Sequence, residues 1–333
     1  MPFRTVEDAC PYKENGNILM RSSPWRGVFV STGMWINTLQ FHPVCDKIKA
    51  NESDREGEYF MYTESYVKEI PLLADRPLAK LIAYVAGVST EMPFNDKRKA
   101  VLIIPGGAYW LQSDAEADPI AHYYMAMGYN AFVLRYSVGR GVDSVWPKPL
   151  MEASSAMKYI RDHAEELHID PDYVFVVGFS AGGHLAAALG SLWDNDEIEQ
   201  ALGMEKGYNR PRGTVLSYPV ISGLEPYAHR GSINNILGRQ RDSEEARRSV
   251  SLELLVSEKT VPAFLWAART DDVVPVQNTL LYGEALAVKG VPFEMHIYPR
   301  GGHGVATANH IVGCPYTEMS VWMRDSVRWM ESI

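Results

Sequence analysis

The sequence has 333 residues, of which 46% are hydrophobic, 22% charged and 11% aromatic. This composition is close to the average for folded globular proteins and excludes disordered and fibrous classes. The formal net charge of -9 at pH 7 disfavours a nucleic-acid partner, because binding to a phosphate backbone relies on clustered Lys and Arg. The expected partner is a small neutral molecule.

The three cysteines lie far apart, at Cys10, Cys45 and Cys314, and none belongs to a CxxC pair. Their odd number and separation favour neither a disulfide framework nor a zinc cluster. No stretch has the pattern of a signal peptide or the roughly 18 apolar residues of a membrane span. HExxH and a GxGxxG after a strand are also absent, so the sequence predicts a cytoplasmic protein without membrane contact, metal or cofactor.

Strand-like apolar runs alternate with helix-length amphipathic segments from about Leu81 onward. This alternation predicts an α/β fold with a mostly parallel central sheet. The apolar runs are mostly continuous, which indicates that helices cover both faces of the sheet. Strands are predicted at 101–104, 130–134, 173–177, 214–218, 263–267 and 293–298, and helices at 118–127, 150–167, 180–192 and 317–330.

Two segments do not follow this alternation. Residues 1–78 contain scattered aromatic residues and a polar stretch, and are predicted to be an N-terminal extension packed on a main domain of residues 79–333. Residues 223–258 form a long connection between two predicted strands and contain a helix-like polar stretch at 243–248. Connections of this length are often functional, so a lid-like insert is predicted here.

The run Gly178-Phe179-Ser180-Ala181-Gly182 matches the pattern G-x-S-x-G, in which a serine lies on a tight turn between a strand and a helix. The pattern alone is weak, because glycine and serine are common. Here a predicted apolar strand precedes it and an alanine-rich predicted helix follows it, which is the context that the pattern requires. The sequence therefore predicts that Ser180 is a nucleophile rather than part of a phosphate-binding turn.

A serine hydroxyl needs a base to take its proton, and an imidazole base needs a third group that fixes its tautomer. Of nine histidines, His303 is the best placed, in a glycine-rich loop just after the predicted strand 293–298. His184 lies on the helix after the serine, and a structural role is favoured for it. The loop after strand 263–267 contains Asp271 and Asp272, and either could be the third group.

A tetrahedral intermediate also needs backbone N–H groups that bind its negatively charged oxygen. The run Pro105-Gly106-Gly107-Ala108-Tyr109 follows the first apolar strand and can supply them. The predicted donors are the N–H groups of Gly107, Ala108 and Ala181. In isolation the Gly-Gly pair would be interpreted as a plain turn.

These blocks together resemble the esterase and lipase branch of the α/β-hydrolases, particularly acetyl esterases and feruloyl-esterase-like proteins that act in plant-polysaccharide breakdown. The resemblance covers residues from Leu81 to the end of the sequence and implies the chain order serine, acid, histidine. It places the acid four residues before a proline, which selects Asp271. This family often has a third glycine where the sequence has Ala108, and alanine can serve there if the position does not require a positive φ.

The resemblance implies hydrolysis of a short-chain carboxylic ester, such as an acetyl ester of a sugar or oligosaccharide, through an acyl-enzyme on Ser180. Two alternatives are a prolyl-oligopeptidase-like peptidase and a non-catalytic protein that binds a ligand in the same pocket. The peptidase is disfavoured because residues 1–78 are too few for a propeller domain, and the binding protein because serine, aspartate and histidine are all present. Aromatic residues near the loop ends are predicted to line the pocket: Tyr109, Trp110 and Trp146.

Overall fold

The computed structural model describes residues 63–92, 97–139, 145–314 and 317–333. In these ranges the strands are β1 Tyr66–Leu73, β2 Arg76–Val85, β3 Arg98–Ile104, β4 Asn130–Arg135, β5 Ile169–Phe179, β6 Thr214–Ser217, β7 Ala263–Ala268 and β8 Phe293–Tyr298. The α-helices are α1 Asp118–Ala126, α2 Lys148–Asp162, α3 Ser180–Ser191, α4 Asp196–Leu202, α5 Arg230–Leu237, α6 Glu244–Ser249, α7 Gln277–Val288 and α8 Val321–Glu331. Most of the segment 1–78 lies outside the described residues.

The strands form one sheet with the order β1-β2-β4-β3-β5-β6-β7-β8. Pairings from β4 to β8 are parallel, whereas β2 is antiparallel to both β1 and β4. The predicted α/β fold with a mostly parallel sheet is confirmed. The sheet begins at Tyr66, which lies before the predicted boundary at residue 78.

Each central strand contributes buried side chains to both faces of the sheet. In β3, Leu102 and Ile104 belong to the apolar cluster that contains α2 and α3 residues, whereas Val101 and Ile103 belong to a second cluster with α1 and α8 residues. A strand that is buried on both faces must be apolar at every position, because successive side chains point to opposite sides. Because both faces of the sheet are apolar, helices pack on both of them.

Several predicted bounds differ from the structure. Helix α2 ends at Asp162, five residues before the predicted end at 167, and residues 317–320 form a 3-10 turn that precedes α8. The predicted insert 223–258 contains α5 and α6. Ser243 caps α6 by accepting a hydrogen bond from the N–H of Ala246, as expected for serine at a helix start.

The parallel strands bring four loops to one edge of the sheet. The carboxyl ends of parallel strands point the same way, so the loops after β3, β5, β7 and β8 lie along the same edge. These loops carry Gly107, Ser180, Asp271 and His303. Ligands of α/β folds commonly bind at this edge.

Candidate active site

Ser180 lies at the junction of β5 and α3, with a positive φ of 52°. A left-handed backbone costs a residue other than glycine about 1–2 kcal/mol, so tight packing must hold the turn. Gly182 shows why bulkier residues are excluded, since an added Cβ would lie 2.1 Å from the carbonyl oxygen of Ile104. The turn therefore packs closely against the end of β3.

A chain of short hydrogen bonds joins Ser180, His303 and Asp271. The Ser180 Oγ lies 2.7 Å from His303 Nε2, and His303 Nδ1 lies 2.7 Å from Asp271 Oδ2. The Asp271 carboxylate can only accept a hydrogen bond, so Nδ1 of the neutral ring carries the proton and donates it to this bond. Nε2 is then unprotonated and can accept the serine proton. This is the geometry of a nucleophile, a base and an orienting acid.

Asp271 is held in a fixed position by its own loop. Its Oδ1 accepts hydrogen bonds from the N–H groups of Val273 and Val274, each at 3.0 Å, which leaves Oδ2 for His303. The Asp271 side chain is fully buried, whereas the neighbouring Asp272 is exposed. Sequence reasoning from the loop alone allowed either Asp271 or Asp272 as the third group. The structure brings Asp271 to His303.

The loop after β3 lies directly against Ser180. An added Cβ on Gly106 would lie 2.8 Å from the Cβ of Ser180. Gly107, Ala108 and Tyr109 all have positive φ, at 124°, 56° and 57°. In the described part of the chain, no hydrogen bond uses the N–H of Gly107, Ala108 or Ala181. These three groups are therefore available to an oxygen near Ser180, and their role as donors stays a prediction.

Alanine was expected to serve at position 108 if the position does not require a positive φ. The structure does not meet this condition, because φ of Ala108 is 56°. A methyl group at this φ is strained, and the position favours glycine. The insert helix α5 holds the strained peptide, because the Asn235 side chain donates a hydrogen bond to the Ala108 carbonyl at 2.8 Å. The backbone N–H remains a usable donor despite the strain.

We expect Ala108→Gly to stabilise the protein. The substitution relieves left-handed strain of about 1–2 kcal/mol, and the greater freedom of glycine in the unfolded chain takes back about half of that. The net gain of about 0.5–1 kcal/mol would raise the melting temperature by about 2 °C. Thermal unfolding followed by circular dichroism measures this shift.

Ala187→Gly is the matched control for this substitution, since Ala187 is buried within α3. Glycine inside a helix costs about 1 kcal/mol, so this variant should melt at a lower temperature. Equal melting temperatures for Ala108→Gly and Ala187→Gly would contradict the strain at Ala108.

The predicted pocket aromatics differ in their surroundings. Tyr109 is fully buried, so the structure places it in the core rather than in a pocket wall. Trp110 is 46% exposed. Trp146 is half-buried, and its ring lies in an edge-to-face arrangement with the His184 ring, with the centroids 6.3 Å apart. A role in the pocket stays a prediction for these two tryptophans.

His184 has the structural role that the sequence favoured. Its Nδ1 lies 2.8 Å from the Tyr109 hydroxyl and its Nε2 lies 2.8 Å from the Val250 carbonyl oxygen. The carbonyl can only accept, so Nε2 carries the proton and Nδ1 accepts from Tyr109. Burial lowers the pKa of His184 to about 4, so the ring is neutral at pH 7. The two hydrogen bonds of His184 thus link α3 to the loop after β3 and to the insert 223–258.

Two buried polar side chains beside the site were not predicted from the sequence. The Glu116 carboxylate accepts hydrogen bonds from the Gly106 N–H at 2.7 Å and from the Tyr218 hydroxyl at 2.8 Å. The Tyr218 ring packs edge-on against the His303 ring, with the centroids 5.0 Å apart. Glu116 lies in an ordinary polar stretch of the sequence, and no pattern there distinguishes it from its neighbours.

No group of three or more His, Cys, Asp or Glu side chains in the described ranges is arranged to hold a metal ion. No helix in these ranges is long and apolar enough to cross a membrane.

The parallel sheet and the serine at its edge define the class as an α/β-hydrolase. The crystal structure of an acetyl ester-xyloside bifunctional hydrolase from Caldicellulosiruptor lactoaceticus is 34% identical and superposes with a TM-score of 0.67. The alignment covers 80% of this chain and 96% of that one. The family model described as BD-FAE matches residues 90–286, and the chain belongs to this family. The resemblance to esterases of the α/β-hydrolase class is thereby confirmed.

Curated relatives include enzymes named for xylan breakdown. The endo-1,4-beta-xylanase B of Butyrivibrio fibrisolvens is 36% identical over 64% of this chain and 33% of its own length. The acetylxylan esterase of Xylanibacter ruminicola is 28% identical over 73% of this chain and 47% of its own length. The chain thus spans between a third and a half of the length of these relatives.

Proposed function

We propose that the protein is a serine esterase that hydrolyses short-chain carboxylic esters, namely acetyl esters of sugars or oligosaccharides. The observation that carries this proposal is the hydrogen-bond chain from Ser180 through His303 to Asp271. It activates a hydroxyl group next to three N–H groups that no residue in the described ranges uses. That combination suits acyl transfer.

In the first half of the reaction, the Ser180 Oγ attacks the ester carbonyl while His303 Nε2 takes the serine proton. Asp271 stabilises the imidazolium that forms. The carbonyl oxygen becomes negatively charged and is bound by the N–H groups of Gly107, Ala108 and Ala181. Each such donor typically contributes about 10²–10³ in rate. The intermediate then breaks its bond to the alcohol, which leaves with the proton from His303.

In the second half, water attacks the acyl group on Ser180, and His303 takes a proton from that water. The same N–H groups bind the second negatively charged oxygen. The bond between Ser180 and the acyl group breaks, Ser180 regains its proton from His303, and the carboxylic acid is released. The enzyme returns to its starting state with one water consumed.

The substrate part of the proposal rests on similarity. One curated relative is named as an acetylxylan esterase, and one solved relative as an acetyl ester-xyloside hydrolase. The match covers 96% of the chain in the crystal structure of the latter, so the similarity is not confined to the motifs around the serine. An acetyl group on a xylose-based oligosaccharide is the substrate that these relatives support best.

A hydrolysis profile tests the proposed function. The full chain is assayed with p-nitrophenyl esters of increasing acyl length, with acetylated xylo-oligosaccharides and with dipeptidyl amides. We expect kcat/KM to be highest for acetyl esters, acetate to be released from the oligosaccharides, and the amides to stay intact. A preference for long acyl chains would contradict the acetyl substrate, and release of acid from none of the esters would contradict the esterase.

A further inference from the structure

We propose that Glu116 and Tyr218 are positioning residues that couple the loop after β3 to the loop that carries His303. The inference rests on the proposed function, because it assigns these loops to the oxygen-binding donors and to the base. In the described ranges, neither side chain forms a hydrogen bond with Ser180, His303 or Asp271. Each acts through a hydrogen bond to the backbone of one of these two loops.

Glu116 fixes the loop after β3. It ends a short 3-10 turn at Asp114–Glu116, and its side chain points into the core with the residue only 2% exposed. The Gly106 N–H donates to Glu116 Oε2 at 2.7 Å, and the next residue is the proposed donor Gly107. A carboxylate acceptor is stronger than a neutral one. The orientation of the peptide before Gly107 therefore depends on Glu116.

Tyr218 fixes the loop after β8. It directly follows β6 with a positive φ of 37°, so its backbone is strained to place the ring here. Its hydroxyl donates to Glu116 Oε1 at 2.8 Å and accepts from the Ala306 N–H at 2.9 Å. Ala306 lies three residues after His303. The Tyr218 hydroxyl thus connects the Glu116 carboxylate, which binds the loop after β3, to the backbone of the loop after β8.

The Ala306 peptide is also held from its other side. The Trp322 indole N–H of α8 donates to the Ala306 carbonyl at 2.9 Å. Since φ at Ala306 is 43°, this loop too keeps a left-handed residue in place. Loss of the Tyr218 hydroxyl would leave the Ala306 N–H buried without an acceptor, and the loop would relax.

The hydrogen-bond pattern favours an ionised Glu116, because both of its oxygens accept. Burial raises the pKa of Glu116, while the hydrogen bonds from Tyr218 and Gly106 and the nearby His303 oppose that rise. Burial raises the pKa of the Tyr218 hydroxyl well above its usual range, and the Glu116 charge adds to this. The tyrosine therefore stays protonated and donates.

A negative charge at Glu116 has a consequence for the base. Within the described residues, the groups that face or interact electrostatically with the His303 ring are Asp271, Ser180, Tyr218, Glu116 and His229. Of these, Asp271 and Glu116 are negative and favour the imidazolium that forms when Ser180 loses its proton. A purely structural Glu116 would affect folding and leave kcat of the folded enzyme unchanged.

The test uses Glu116→Gln and Tyr218→Phe in the full chain, with p-nitrophenyl acetate as substrate. The matched controls are Glu199→Gln and Tyr124→Phe. Glu199 is also a buried glutamate that accepts a glycine N–H, from Gly207 at 2.8 Å. Tyr124 is also a buried tyrosine, with its hydroxyl 2.9 Å from the Ser326 hydroxyl. Melting temperatures of all four variants measure the structural effect separately.

We expect kcat to fall by about 10–100-fold in both site variants with KM nearly unchanged, because small displacements of reacting groups have effects of this size. The controls should keep the wild-type kcat and KM.

Wild-type kcat in both site variants would overturn the coupling, as would losses no larger than those of the controls. If Glu116→Gln does not fold, kcat of Tyr218→Phe decides. Absence of esterase activity in the wild type is a different outcome, because it contradicts the proposed function itself.

Discussion

Ser180→Ala is expected to lower kcat for acetyl esters by about 10⁵-fold, because the alanine side chain cannot form an acyl-enzyme. Residual hydrolysis should remain above the rate in water, since the N–H groups and the binding pocket still act on the substrate. The fold should be retained, because alanine removes only the hydroxyl at a turn already held by neighbouring glycines. Steady-state kinetics with p-nitrophenyl acetate measures this loss.

Ser191→Ala is the control for this prediction. Ser191 lies at the opposite end of the same helix, where its hydroxyl lies 2.9 Å from that of Tyr282. Its replacement should leave kcat at the wild-type value. A Ser180→Ala variant with more than a few per cent of wild-type kcat would exclude Ser180 as the nucleophile.

Asp271→Asn is expected to lower kcat by about 10⁴-fold with little effect on folding, by analogy with the same change in a serine protease. An asparagine amide can present its NH₂ group to His303 Nδ1, which then no longer carries the proton. The proton moves to Nε2, where it blocks acceptance of the serine proton. The same kinetic assay measures the effect.

Asp272→Asn is the control that separates the two neighbouring aspartates. Asp272 is exposed, and in the described ranges none of the hydrogen bonds or ion pairs of its side chain involves His303. Its replacement should change kcat by less than about twofold, as for most exposed positions away from functional groups. Equal losses in the two variants would contradict the assignment of Asp271.

The sequence predicted those parts of the molecule that depend on local pattern. Strands β3, β5 and β7 each contain a continuous apolar run, and the strand positions predicted from these runs lie within the observed strands. The loops that follow them contain the glycines, the serine and the aspartates that chemistry requires at such places. Chain order and sheet topology then brought Ser180, Asp271 and His303 to one edge.

Other features depend on contacts that no local pattern reveals. The edge strand β1 is mostly exposed and contains Pro71, so it lacks the apolar signal of a buried strand, although proline is tolerated at an edge. Tyr109 looks like a pocket residue by its position next to the loop, yet its hydroxyl is bound to His184. Glu116 and Tyr218 are 102 residues apart in the sequence, and only the folded chain brings them together.

The most direct test of the account is covalent labelling of the wild-type chain with a fluorophosphonate, followed by mass spectrometry of the intact protein and its peptides. An activated serine displaces fluoride from this probe and keeps the phosphonyl group. We expect one adduct per chain, located on Ser180, and none in Ser180→Ala. Ester hydrolysis by a chain that carries no adduct, or an adduct on another residue, would contradict it.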